Sequence, residues 1–180
     1  MVRLYKAHVL PILEFPTAAI YHTTQTNLQK LDRVQKRFLR TVGLTAEDAF
    51  LKYRLAPLQT RRDLAALGLI HRTVLGKGPK HFKQWFFPSL KRKHPFNTRR
   101  QQRLHTRQLH DYLDGNHNEM IRRSILGLPK VYNDLPQDVV NATSVANFQR
   151  KLQQLVKNKV QNNVDGWEHS LNLRKTCFAC

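Results

Sequence analysis

The stretch TNLQKLDRVQKRFLRTVG, residues 26–43, carries the clearest structural pattern of the chain. Its apolar residues recur every three or four positions, the spacing of one helix face, at Leu28, Leu31, Val34, Phe38 and Val42. Thr26 or Asn27 suits the N-cap, and Gly43 suits the position after the last turn. The sequence therefore predicts an amphipathic helix that begins near Asn27 and ends near Gly43.

The opposite face of this predicted helix is basic. Residues three and four apart share one side of a helix, and this side holds Lys30, Arg33, Lys36, Arg37 and Arg40. Asp32 is the only acid of the segment. We expect the basic face to contact backbone phosphates of nucleic acid. An ordinary solvent-exposed face is the alternative.

Two further helices are predicted, over residues 57–75 and 144–160. Pro57 suits a first turn and Gly76 a helix end, while Ser144 can cap the later helix. We find no internal repeat and no β pattern long enough for a sheet. The predicted fold is mainly α, a small helical bundle with a long basic loop and an irregular C-terminal segment. Its predicted parts are a helical region at 1–76, a basic linker at 77–110, a helical connection at 111–160 and a frayed tail at 161–180.

The charge balance indicates an anionic partner. The chain of 180 residues has 31 Lys and Arg against 12 Asp and Glu, a formal net charge of +19. RNA and/or DNA is expected rather than a membrane, because no stretch approaches the ~20 apolar residues of a spanning helix. Only two cysteines occur, Cys177 and Cys180, so the fold does not rest on disulfides. We expect a reducing compartment, the nucleus and/or the cytoplasm.

The predicted linker has the strongest binding signal. No Asp or Glu occurs between Asp63 and Asp111, a range that includes the whole linker. The expected phosphate-binding residues of the linker are Lys77, Lys80, Lys83, Lys91, Arg92, Lys93, Arg99, Arg100, Arg103 and Arg107. Aromatic residues that could stack on bases are interleaved with them: Phe82, Trp85, Phe86, Phe87 and Phe96. Packing of these rings in the core is the alternative.

Catalytic chemistry is not indicated by any motif. The chain has no Asp-Asp pair for two-metal phosphoryl transfer, no glycine-rich phosphate loop and no His-Glu-x-x-His. Cys177 and Cys180 have the spacing of half a zinc site, but only His169 stands nearby in sequence. We therefore predict no catalytic residue, no metal ligand and no cofactor in this chain.

Four segments, in this order, resemble one family of proteins. They are Tyr5-Lys6 with VLPILEF (9–15), LDRVQKRFLR (31–40), LAPL (55–58) with Arg61-Arg62, and YNDLP (132–136) with the trailing Val139-Val140, Ser144-Val145, Phe148 and Leu152. They resemble the region after the polymerase core in non-LTR (LINE-type) retrotransposon reverse transcriptases, particularly the jockey-like group. The chain departs from that pattern at Pro16, where Gly is usual, and at Ile20 and Tyr132, where Trp is common.

The resemblance implies a thumb-like region at 1–76 that grips template-primer or element RNA, apart from its catalytic palm. The parent protein would be an RNA-directed DNA polymerase that uses Mg²⁺. Arg61 and Arg62 join the expected nucleic-acid contacts, and the apolar N-terminal segment is expected to contact the palm. The alternative is a free-standing basic RNA-binding or assembly protein without enzymatic activity. Such a protein should bury Leu10, Ile12, Leu13 and Phe15. A third reading is an open reading frame without selected function.

Overall fold

The computed structural model describes residues 1–15, 17–89, 105–115 and 118–173. These residues are mainly α-helical and include no β-strand, which confirms the predicted fold class. They form two compact units: unit 1 comprises Met1–Leu64 and Gln153–Cys180, and unit 2 comprises Ala65–Leu152. The division falls inside two helices and differs from the predicted boundaries after residues 76, 110 and 160.

Unit 1 begins with a continuous helical run. Helix α1 (Val2–Leu4) leads into a π-helical turn (Tyr5–Val9) and then into α2 (Leu10–Glu14). Pro11 lies inside this run although proline removes one backbone donor and crowds the preceding turn. The wider π-helical turn directly before it accommodates the ring. The chain therefore continues as a helix through Pro11.

Helices α3 (Thr17–Ile20) and α4 (Gln25–Thr41) follow. The predicted basic helix is α4, with Thr24 as N-cap and Gly43 at φ 67° after its end. Gln35 is buried, whereas Val34 is 43% exposed, so the predicted inward position of Val34 was wrong. At about 100° per residue, Gln35 lies within roughly 20° of Leu28 around the helix, and Val34 lies roughly 120° away.

The next two helices complete the core of unit 1. Helix α5 (Ala46–Tyr53) was not predicted; the backbone N–H of Asp48 donates to the Oγ1 of its N-cap Thr45 over 3.1 Å. Helix α6 (Leu58–Val74) confirms the second predicted helix, and Gly76 follows it at φ 75°. One apolar cluster joins these elements: Tyr5, Leu10, Leu13, Leu39, Ala49, Leu55 and Leu58.

Residues 161–173 of the predicted frayed tail are packed on unit 1, and the rest of that tail lies outside the described residues. Trp167 lies in a 3₁₀ turn (Trp167–His169), is buried, and stacks on Phe50 with ring centroids 5.7 Å apart. The Nδ2 of Asn172 donates to Asp63 Oδ2 over 2.9 Å. Burial of the indole ring fixes this segment although its sequence lacks helical periodicity.

Unit 2 contains α7 (Glu119–Arg123), α8 (Leu128–Asn133), α9 (Gln137–Val140) and the part of α10 (Val145–Gln161) that ends at Leu152. Helix α10 confirms the third predicted helix, and the Oγ of Ser144 accepts from the backbone N–H of Asn147. The fully buried side chains of this unit include Leu67, Ile70, His71, Tyr132, Val139, Val140, Phe148 and Leu152. The His71 ring stacks on Phe148 at 4.0 Å between centroids.

Both described ends of the predicted linker are packed within unit 2. A 3₁₀ turn (Lys80–Gln84) precedes the buried Phe86, and Pro88 forms an isolated antiparallel bridge with the buried Leu109. The N–H of Ser89 donates to the carbonyl oxygen of Gln108 over 2.9 Å. The described ends of the linker therefore pack within unit 2 through the buried Phe86, His105 and Leu109, while the linker lysines that precede Phe86 stay at the surface. The central part of the linker lies outside the described residues.

Candidate nucleic-acid interface

The predicted basic face is present on α4. All five of its cationic residues are exposed: Lys30, Arg33, Lys36, Arg37 and Arg40. Their side chains form no ion pair or hydrogen bond with any residue that the structure describes. The helix lies in unit 1, where Leu28, Gln35 and Leu39 face the interior. This arrangement presents unpaired positive charge to solvent from a rigid element.

Asp32, the only acid of α4, is directed away from this face. Its Oδ1 accepts from the Nη2 of Arg62 over 2.7 Å, and the Arg62 side chain is 2% exposed. Arg62 also donates to Gln59 Oε1 over 3.2 Å. The structure therefore does not support Arg62 as a phosphate contact. Its guanidinium is buried within unit 1, where it neutralises Asp32.

Arg61 also has an acidic partner. Its guanidinium forms a two-bond ion pair with the Glu14 carboxylate; Nε donates to Oε1, and Nη2 donates to Oε2 over 3.0 Å. The side chains of Arg61 and Glu14 are 29% and 31% exposed. The pair joins α2 to α6 and cancels the charge that the sequence assigned to binding. Arg61 therefore has a structural role in unit 1, and its contact with nucleic acid stays a prediction.

The described cations of the basic stretch in unit 2 differ in their exposure to solvent. Lys77, Lys80 and Lys83 are exposed, and Trp85 is 44% exposed. Arg107 is half-buried, and its Nη1 donates to the carbonyl oxygen of Val140 over 2.9 Å at the end of α9. Arg107 therefore has a structural role, and its contact with phosphate stays a prediction.

The aromatic rings of the stretch divide in the same way. Phe86 is buried, and Phe87 stacks on His110 with centroids 4.9 Å apart. Phe86 is a core residue, as the alternative reading expected, and Phe87 is partly buried. Of the four described Phe and Trp residues in this stretch, only Trp85 is exposed. The remaining predicted residues lie outside the described ranges: Lys91, Arg92, Lys93, Phe96, Arg99, Arg100 and Arg103.

Two negative observations apply to the described residues. Within them, no group of three or more His, Cys, Asp or Glu side chains is placed to hold a metal ion. None of their helices has both the length and the apolar character needed to cross a membrane. Cys177 and Cys180, which have the spacing of half a zinc site, lie outside the described ranges.

A cavity of about 260 Å³ adjoins the basic face within unit 1. Arg33 and Lys36 line it together with four glutamines that the sequence did not single out: Gln25, Gln29, Gln35 and Gln59. The sequence contains a signal for the burial of Gln35, because this polar residue lies on the same side of the helix as Leu28, which is the apolar side. The position of Gln25 near the cavity depends on tertiary packing, and no local pattern indicates it.

Comparison of the chain with family models, with curated proteins and with solved structures finds no match.

Proposed function

We propose that this protein binds RNA or DNA through the backbone phosphates, with α4 as its principal contact. The observation that carries the proposal is the row of five exposed cations without acidic partners on one helix. Lys30 and Arg40 are ten residues apart, which is about 15 Å along a helix axis. A cationic row of this length can contact several consecutive phosphates of one strand. Such contacts fix position without reading sequence.

The larger proposal is that the chain is the C-terminal, nucleic-acid-gripping part of a retrotransposon RNA-directed DNA polymerase, without the catalytic palm. The resemblance of the four ordered segments supports it. Exposed apolar residues of the N-terminal helical run support it as well, because Ile12 is 72% exposed and Phe15 is 93% exposed. The proposed partner of these side chains is the palm of the same polymerase.

The alternative is a free-standing RNA-binding or assembly protein. That reading expects Leu10, Ile12, Leu13 and Phe15 to be buried together. Leu10 and Leu13 are buried, but Ile12 and Phe15 are not. The division of this set between core and surface favours the polymerase fragment.

Fluorescence anisotropy with labelled single strands and duplexes over a series of salt concentrations tests the binding proposal. The logarithm of the affinity should fall linearly with the logarithm of the salt concentration, because phosphate contacts release counterions. Equal affinity at low and high salt would contradict the proposal. Primer extension with Mg²⁺ or Mn²⁺ should yield no product, since the proposed fragment lacks the palm.

A further inference from the structure

An aromatic surface of unit 2 has no part in the contact proposed on α4. It consists of four side chains that all keep some exposure to solvent: Trp85, Phe87, His110 and Tyr112. Phe87 stacks on His110, and the Tyr112 ring stands edge-on to both, with centroids 6.5 Å from Phe87 and 4.8 Å from His110. The four residues therefore bring together two short segments, 85–87 and 110–112.

Hydrogen bonds fix the backbone that carries Trp85. The Tyr112 hydroxyl donates to the carbonyl oxygen of Trp85 over 2.8 Å. The N–H of Trp85 donates to the carbonyl oxygen of Phe82, and the N–H of His110 donates to that of Phe87, both over 3.0 Å. The Trp85 side chain is nevertheless 44% exposed. An exposed indole on a fixed backbone is a surface on which a flat ring can stack at little ordering cost.

Positive charge lies next to this indole in the chain. Three exposed lysines precede Trp85: Lys77, Lys80 and Lys83. Their side chains form no ion pair or hydrogen bond with the residues that the structure describes. Lys80 and Lys83 share one side of their 3₁₀ turn, because such a helix has three residues per turn. Asp111 and Asp114 belong to the turn around Tyr112 instead, and Asp111 Oδ1 accepts a backbone N–H of that turn over 2.9 Å.

An exposed aromatic ring beside unpaired cations suits a single strand of nucleic acid. Unpaired bases stack on aromatic side chains whatever their sequence, and their phosphates attract the cations. The bases of a duplex are stacked on each other, so a duplex can use the lysines but not the indole. Helix α4 lacks such a ring, because Phe38, its only aromatic residue, stacks on Tyr5.

We propose that unit 2 carries a second nucleic-acid site, which takes single-stranded RNA or DNA. One unpaired base stacks on Trp85, and neighbouring phosphates contact Lys80 and Lys83. This site goes beyond the phosphate contact proposed on α4, because it adds a preference for unpaired strands. It reads no sequence, since every base has a face that can stack.

The test uses the full chain with two labelled ligands, a thymidine oligonucleotide of about 12 residues and a hairpin duplex with the same number of phosphates. Trp85→Ala should lower the single-strand affinity about fivefold or more, but should change the hairpin affinity less than about twofold. Trp85→Phe should recover most of the loss, because a smaller ring still stacks. Tyr53→Ala is the matched control: it removes a ring that is 43% exposed from unit 1 and should leave both affinities unchanged.

Salt dependence separates the ring from the lysines. Trp85→Ala should keep the slope of log affinity against log salt on the single strand, because it removes no charge. The double variant Lys80→Gln with Lys83→Gln should make that slope less steep by about 1.4, at ~0.7 for each phosphate contact.

Fluorescence of the unaltered protein provides a second measurement, which needs no substitution. Trp167 is buried, so acrylamide should quench mainly Trp85 in the free protein, and a bound single strand should block this access. Wild-type single-strand affinity of Trp85→Ala, an equal loss in Tyr53→Ala, or unchanged acrylamide access on a bound strand overturns this proposal alone. Absence of binding to every strand overturns the proposed function as well.

Discussion

The Nη2 of Arg62 donates to the Oδ1 of Asp32 over 2.7 Å, and this ion pair links the fold of unit 1 to the charge of its surface. The pair anchors α4 to α6 through the buried side of α4. It also engages the only acid of α4, so no carboxylate of that helix lies among the exposed cations. The Arg62–Asp32 ion pair therefore both stabilises unit 1 and leaves the basic face without an acidic partner from its own helix.

Asp32→Asn should reduce the free energy of unfolding by about 3 kcal/mol, because it leaves the nearly fully buried Arg62 guanidinium without its ionic partner. Urea denaturation followed by circular dichroism measures the loss. The double variant Asp32→Leu with Arg62→Met removes both charges and should be less destabilised than Asp32→Asn. Asp48→Asn, which removes the partner of the exposed Lys52, is the matched control and should change stability little. Wild-type stability of Asp32→Asn would mean that Arg62 is solvated.

Phe38→Ala should cost about 3 kcal/mol of unfolding free energy, because the ring stacks on the buried Tyr5 with centroids 4.1 Å apart. The expected loss lies at the lower end of the range for Phe→Ala substitutions in protein cores, because Phe38 is only partly buried. Val34→Ala on the same helix should have an effect within about 0.5 kcal/mol, because Val34 is exposed. Urea denaturation of both variants measures the difference. Equal losses of unfolding free energy in the two variants would indicate that Val34 packs against the interior as the sequence predicted.

The stability of the protein should fall as the pH drops below about 6.5, the usual pKa of histidine. Burial lowers the pKa of His71 and of His105, so both are neutral in the fold. His71 Nε2–H donates to the carbonyl oxygen of Ala142 and its Nδ1 accepts from the Tyr132 hydroxyl, both over 2.9 Å. His105 Nε2–H donates to the carbonyl oxygen of Tyr132 over 2.9 Å.

In the unfolded chain the same two histidines take up protons at that pH, so the unfolded state binds more protons than the folded one. The stabilisation is present above pH 6.5 and is lost as the pH falls through the lowered pKa values. The slope should approach ~2.7 kcal/mol per pH unit for two groups. Urea denaturation between pH 5 and 7.5 measures it.

Replacement of His71 and His105 by Gln should flatten this dependence. Tyr132→Phe is the matched control: it removes the hydroxyl donor to His71 and should cost about 1 kcal/mol at pH 7, but it should keep the slope. A slope unchanged in the double Gln variant would place the titrating groups elsewhere.

The sequence predicted the elements with a strong local period and missed those that depend on distant contacts. Helices α4, α6 and α10 each have an apolar stripe of at least four turns and a matching helix end, so their existence follows from local pattern. Helix α5 is only eight residues long, from Ala46 to Tyr53, and its single signal is the Thr45 cap. The tail around Trp167 is fixed by the Phe50 ring, which lies more than a hundred residues earlier in the chain.

The candidate site was predictable to a similar degree. Exposure of Lys30, Arg33, Arg37 and Arg40 follows from helical phase, since at about 100° per residue each lies roughly 100° or more from both Leu28 and Leu39. Lys36 lies only roughly 80° from Leu28, so helical phase alone does not predict its exposure. Arg61 and Arg62 could not be judged from the sequence, because their partners Glu14 and Asp32 come from other elements. A pair of adjacent arginines has the same appearance in the sequence whether it binds phosphate or internal carboxylates.

The last prediction concerns the salt dependence of binding. Replacement of Arg33, Lys36, Arg37 and Arg40 by Gln should make the slope of log affinity against log salt less steep by about 3 to 4 on a duplex, if each side chain contacts one phosphate. Circular dichroism should be unchanged, because all four residues are exposed. Fluorescence anisotropy over a salt series measures the slope.

The control removes the same charge from exposed sites elsewhere, with Gln at Arg3, Lys130, Arg150 and Lys159. Both variants have the same net charge, so a general electrostatic attraction would lower their slopes equally. Direct contact with α4 predicts a large change in the first variant and a small one in the second. Equal slopes in the two variants would refute α4 as the principal interface and direct attention to the exposed Lys77, Lys80, Lys83 and Trp85 of unit 2.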